Sequence, residues 1–239
     1  VLGLSLSVTL GTAVQAQVIL QPGDYASDSP ITLTTSDTAI GTSGTYTITN
    51  SSKTLTINSP GNYHAIALHD GGTSTITGNV VLNMNNLPSE YYNWNHAIVD
   101  SNTKLTLNGD LTVTSDSPNT VFATTGRLIH ASRGSELDIN GNVKIDVTSY
   151  SKNGIHGSQT AFIADDATIN VNGDVCDIES RFKNGTPSSG ANTVYASGDG
   201  IVNINSTKTI IKSSGGKPDA ISAKGWSSGT KAAVNINSK

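Results

Sequence analysis

The residues of this chain with most claim to chemistry are its carboxylates. Asp165 and Asp166 are adjacent, and Asp174, Asp177 and Glu179 follow shortly after. Asp100 falls two residues after a strand isoleucine, Ile98, as Asp165 does after Ile163. Asp100, Asp165 and Asp166 therefore form a candidate cluster, with Asp100 and Asp165 expected to stack one coil apart. Polysaccharide hydrolases and lyases need such clusters on one face, for acid/base work or to hold calcium. Adjacent carboxylates alone give no acid/base asymmetry, and solvated turn charges are the simpler reading. His64 and His96 each precede Ala-Ile and are expected to be neighbours. A metal needs a third ligand at fixed spacing, so they read as surface or rim histidines and no metal site is assigned. Cys176, the one cysteine, reads as a small apolar strand residue. The chain contains no Gly-x-Ser-x-Gly, phosphate loop, dinucleotide fingerprint or His-Glu-x-x-His, so no catalytic residue and no cofactor is assigned.

Binding chemistry has one local concentration. Tyr91, Tyr92 and Trp94 lie together in the segment 85–95, and Trp226 is a second, isolated candidate. Aromatic faces stack on sugar rings or anchor protein partners. The competing reading packs these rings against the side of the molecule, because large apolar groups seldom stay bare.

These residues must be positioned by a repeat. Short alternating strands ending in Asn-Gly or Asn-Ser recur as Leu55–Ser59, Leu105–Gly109, Leu137–Gly141, Ile169–Gly173, Val202–Ser206 and Val234–Ser238, with Ser74–Gly78 as a variant. From Gly78 onward the instances are 31 to 33 residues apart, whereas the step from Ser59 to Gly78 is 19. A fixed period of this size marks a repeat architecture. Two places before the Gly or Ser stand Ile57, Ile76, Leu107, Ile139, Val171, Ile204 and Ile236, all apolar. One place before stand Asn58, Asn108, Asn140, Asn172, Asn205 and Asn237, with Thr77 in the variant. The first set predicts an inward core ridge. The second predicts a ladder of side-chain amides bonded from coil to coil, at a bend where Asn and Gly tolerate left-handed backbone. In the unit after Ser206, a one-residue bulge is needed to turn Thr209 and Ile211 inward. About three short strands per repeat, separated by sharp bends, predict an all-β, right-handed parallel β-helix. Asn-Gly between alternating strands is also a hairpin signal. A hairpin sandwich, though, has no reason to repeat one column at a near-constant period.

Composition agrees with a solenoid. Of 239 residues, 35% are hydrophobic, 5% aromatic and 13% charged. Ser, Thr and Asn supply roughly a third of the chain, far above ordinary usage. The formal net charge of -4 and scattered Lys and Arg argue against nucleic-acid binding. Residues 1–16 are uncharged and apolar, then small, and Val14-Gln15-Ala16 suits signal peptidase. The reading is a truncated signal peptide over 1–16, an N-terminal cap over 17–50, and β-helix repeats over 51–239. A solenoid needs a terminal cap, and the repeats are expected to continue beyond Lys239.

The units Ala97-Ile-Val-Asp-Ser…Leu105-Thr-Leu-Asn-Gly-Asp-Leu and Thr193-Val-Tyr-Ala-Ser-Gly-Asp…Val202-Asn-Ile-Asn-Ser, behind a signal segment and nearly free of Cys, resemble the passenger region of Gram-negative autotransporters. The resemblance implies a β-helix exported to the bacterial surface or released, often as an adhesin. It also implies a C-terminal outer-membrane β-barrel of the same polypeptide as a partner. The expected function is an adhesion or structural stalk whose loops meet a glycan or protein on a host or neighbouring cell. The alternative is a secreted polysaccharide-active β-helix enzyme. The missing nucleophile–base pair favours binding over turnover.

Overall fold

Period-two alternation in Lys104–Asn108, Glu136–Ile139, Thr168–Val171 and Ile201–Asn205 turns Leu, Ile and Val to one side and Thr, Asp or Asn to the other. Each segment buries its apolar side and leaves the other partly exposed. One such strand cannot cover its own apolar face, so stability comes from stacking. In the computed structural model this stacking is parallel throughout. The structure describes residues 20–28, 30–34, 39–58, 64–84, 90–91, 95–116, 121–122, 126–150, 159–183, 192–215 and 219–238. Among them there is no helix. The fold is a parallel β-solenoid.

Three ladders run along it. The first is a seven-stranded sheet of Ile40–Ser43, Ile66–His69, Asn95–Val99, Gly126–Ser132, Gln159–Asp165, Val194–Ser197 and Ile221–Lys224. The second contains Lys104–Asn108, Glu136–Ile139, Thr168–Val171, Ile201–Asn205 and Ala233–Asn237. The third contains Leu111–Asp116, Val143–Tyr150, Val175–Lys183 and Lys208–Ser214. Two long strands, Tyr46–Asn58 and Thr73–Asn83, run through the bend and serve both the second and third ladders. Within the segment 17–50, expected as a cap, the described strands already stack in register. Gly23–Ala26 pairs with Tyr46–Thr49, and Ile31–Thr34 pairs with Leu55–Asn58.

The core ridge of the second ladder is Ile48, Ile76, Leu107, Ile139, Val171, Ile204 and Ile236, each beside the next. All but Ile236 are buried; Ile236, on the last strand, is 45% exposed. Burying an Ile or Leu side chain stabilises by about 1.5–3 kcal/mol, so the ridge is a large part of the core. Ile57 does not belong to it. It pairs with Leu82 in the third ladder, whose ridge continues through Val113, Ile145, Ile178 and Ile211. The 19-residue step has this cause: Leu55–Ser59 is a third-ladder strand, and the true counterpart of Ser74–Gly78 is Tyr46-Thr-Ile-Thr-Asn50. No bulge forms after Ser206 against the preceding coil, yet Thr209 and Ile211 lie beside Cys176 and Ile178 as expected, because the extra residue is shared by both coils. Val175 shows that the preceding coil has the same extra residue.

Glycine at the Asn-Gly bend is required for a reason other than the one expected. Gly109, Gly141 and Gly173 do not have left-handed backbone. A Cβ on Gly141 would sit 2.2 Å from the carbonyl oxygen of Gly109, and one on Gly173 2.0 Å from that of Gly141. At these three positions coil-to-coil approach, not φ, leaves no room for a Cβ, although Ser206 takes the corresponding place in the next coil. Gly78, at the same bend, does have positive φ, and the non-glycine residues with left-handed backbone are at the other turn, after the first ladder: Asp70, Ser101, Asn102, Arg133 and Asp166.

Candidate functional site

The amide ladder forms at the second-ladder bend. Asn140 donates its Nδ2–H to Asn108 Oδ1 at 3.0 Å, Asn172 to Asn140 at 3.0 Å, Asn205 to Asn172 at 3.0 Å, and Asn237 to Asn205 at 2.9 Å. Asn58 is not a member, because it lies in the third ladder beside Asn83. A second ladder, which sequence reasoning missed, runs two residues earlier. Asn235 donates to Asn203, Asn203 to Asn170, and Asn170 to the carboxylate of Asp138. Its signal was in the sequence: Asn-x-Asn in three successive repeats. It ends on charge, where Lys104 Nζ bridges Asp138 at 2.8 Å and Glu136 at 3.0 Å. Burial acts to raise the Asp138 carboxyl pKa, but the Lys104 and Asn170 hydrogen bonds outweigh it and hold the value below the ordinary range. Both ladders are structural, locking the coils in register.

The carboxylates of the first-ladder turn are also committed to structure. Asp100 and Asp165 do share a column, but Ser132 stands between them, so they are two coils apart rather than one. That is roughly 10 Å at ordinary strand spacing. Asp100 is buried and accepts from Ser132 Oγ at 2.7 Å and Arg133 Nε at 2.7 Å, with Arg133 Nη2 on its other oxygen. Burial opposes ionisation there, yet the Arg133 and Ser132 bonds hold its pKa below the ordinary carboxylate range. Asp165 accepts from Ser197 Oγ at 2.7 Å. Asp166 accepts from the backbone N–H of Asp199, on the same neighbouring coil as Ser197, at 2.8 Å. This column repeats acid and hydroxyl to tie coils together.

His130, in the first ladder, is buried and lies against Arg127, whose Nη1 is 3.3 Å from Nε2. Burial and then the Arg127 charge push its pKa down to about 3, so the ring is neutral. Burial, with Asp177 nearby, pushes the Cys176 thiol up to about 12, which leaves it protonated and inert. Of the aromatic candidates, Trp226 is 60% exposed. Tyr91 belongs to a short strand, Glu90–Tyr91, paired in parallel with Val121–Phe122. The side chain of Tyr91, and Tyr92 and Trp94 entirely, lie outside the described residues, as do the signal segment 1–16 and the side chain of His96.

The site with the best-defined geometry was not legible as a motif. It is an open polar groove of about 390 Å³ on the outer face of the third ladder, lined by Thr114, Ser115, Asp116, Asp146, Thr148, Arg181 and Lys183. It exists because Leu111–Asp116 stops short while Val143–Tyr150 and Val175–Lys183 run on, pairing Tyr150 with Lys183 beyond its end. Its walls hold one another. Arg181 grips both oxygens of Asp146, with Nη2 to Oδ2 at 3.1 Å, and also bonds Glu179 at 3.1 Å and Thr148 Oγ1 at 3.3 Å. Tyr150 donates its hydroxyl to Asp116 at 2.6 Å, and Lys183 Nζ lies 5.7 Å from the centre of that ring. The Asp116 bond, then burial, raises the Tyr150 pKa, keeping it a donor. Asp177 and Glu179 face outward on this sheet, and Asp174 lies in the bend before it. Sequence reasoning missed the groove because its members sit about 33 residues apart and meet only through register. No family model, curated protein or solved structure matches the chain.

Proposed function

We propose that this protein is an exported, surface-exposed β-helical stalk that binds ligands on another cell, in the manner of an autotransporter passenger. The observation that carries the reading is where the chain varies. The bends between second and third ladders are short and repeat closely, whereas the segments 85–94, 117–125, 151–158, 184–193 and 215–220 differ in length and sequence. All of them connect the end of a third-ladder strand to the start of a first-ladder strand. One corner of a rigid scaffold thus carries all this diversity, as binding loops do. Against turnover stands the use of the carboxylates. Asp100 is enclosed by Arg133 and Ser132, and Asp146 is gripped through both oxygens by Arg181.

The test is adherence of the purified protein to host-type and bacterial cells, beside its Tyr91→Ala/Tyr92→Ala/Trp94→Ala variant, with melting curves for both. The reading expects saturable cell binding by the wild type, weakened at least several-fold in the variant at unchanged stability. Absence of saturable binding, or reproducible cleavage of a polysaccharide, contradicts it.

A further inference from the structure

We infer that the third-ladder groove is a binding subsite for an uncharged, hydroxyl-rich ligand, a neutral oligosaccharide lying along the solenoid axis. The inference rests on the adhesion reading and supplies its ligand class. Three observations carry it.

First, the groove offers hydroxyls and paired donors and acceptors. Thr114 and Thr148 contribute hydroxyls. Thr148 Oγ1 accepts from Arg181, while the Ser115 side chain turns inward beside Val147 and takes no part. Sugar hydroxyls both donate and accept, which suits a surface mixing Thr with carboxylate and ammonium.

Second, the charges exclude other classes. Asp116, Asp146 and Glu179 stand against Arg181 and Lys183 within one cluster. The charge of Arg181 is already met by two carboxylates, Asp146 and Glu179. A phosphate, sulfate or uronate entering beside Lys183 meets Asp116 and Asp146. A cationic ligand meets Arg181 and Lys183. A neutral polyhydroxylated ligand meets neither penalty.

Third, the walls are held before the ligand arrives. Asp116 is held by Tyr150, and Asp146 and Arg181 hold each other. Preorganised polar groups lose little freedom on binding. Successive coils repeat at roughly 4.8 Å, comparable to the length of one sugar ring, so a chain lying across the strands meets an equivalent place on each coil. The groove also adjoins the variable corner, since the segments 117–125, 151–158 and 184–193 leave directly from its strands.

The experiment is an array of neutral, uronic-acid, sulfated and sialylated oligosaccharides, probed with the wild type, with Asp116→Ala/Lys183→Ala, and with Lys208→Ala, an exposed third-ladder residue outside the groove. Asp116 and Lys183 are exposed, so their loss removes the Tyr150 contacts but no core side chain. The expected result is binding to neutral glycans that falls at least tenfold in Asp116→Ala/Lys183→Ala and is unchanged in Lys208→Ala, with the double variant still folded cooperatively though melting somewhat lower for loss of the Tyr150 bond. Equal affinity in the double variant overturns the inference, as does a preference for the anionic glycans. Cell binding with no glycan recognised also overturns it, while leaving the adhesion reading in place. Neither cell nor glycan binding removes both.

Discussion

Asn172 donates its side-chain N–H to Asn140 Oδ1, one coil below, and Asn140 donates in turn to Asn108, each at 3.0 Å. Each amide is acceptor to the coil above and donor to the coil below. The ladder therefore has a direction, and every internal member makes two bonds. A carboxylate at such a position can accept but cannot donate.

Asn140→Asp tests this. The variant keeps the bond from Asn172 and loses the bond to Asn108. It also places an anionic oxygen beside the Oδ1 of Asn108. A lost hydrogen bond costs about 0.5–1.5 kcal/mol, and the bend is exposed enough for water to compensate in part. Chemical denaturation should show destabilisation of about 1–2 kcal/mol at neutral pH, partly recovered at pH 3, where the carboxyl gains a proton to donate. Equal stability of variant and wild type at pH 7 would mean that the ladder contributes nothing.

The repeat was legible because one column is apolar and another is Asn, and neither tolerates much substitution within a stacked core and bend. Register at the N-terminal end was not. Tyr46–Asn58 runs through its bend without Asn-Gly, so Leu55–Ser59 imitates the motif from the wrong ladder. The reason for glycine at the bend was also hidden, because the distance from Gly141 to the carbonyl of Gly109 belongs to the stack and not to the local chain. The groove was illegible for the same reason. Asp146 and Arg181 are 35 residues apart, and only the 33-residue offset between their strands brings them together.

His130 makes stability depend on pH in a defined direction. Its pKa in the folded protein is about 3, against 6.5 for an ordinary histidine. Between those values the unfolded chain binds a proton that the folded protein excludes, so stability is full above pH 6.5 and falls as pH drops toward 3. Asp100 and Asp138, both held below the ordinary carboxylate range, add their loss only below about pH 4. Denaturant midpoints measured from pH 7.5 to 4.5 should decline by an amount equivalent to about 2–3 kcal/mol. His130→Leu should flatten that decline while leaving the steeper fall below pH 4. A wild-type profile flat from 7.5 to 4.5 would show that His130 is not buried in the neutral form.

The parallel coil-on-coil register carries every conclusion above, and a cysteine pair measures it directly. Thr112 and Lys144 face outward on neighbouring third-ladder strands and are in register, as are Lys144 and Asp177 on the next pair. Neighbouring strands are about 4.8 Å apart, within disulfide reach, while two coils are not. Under mild oxidation, Thr112→Cys/Lys144→Cys should form an internal disulfide, found by mass spectrometry as linked peptides, with melting unchanged or raised. Thr112→Cys/Asp177→Cys should remain reduced. Cross-linking of the second pair with none in the first would contradict the solenoid and the groove built upon it.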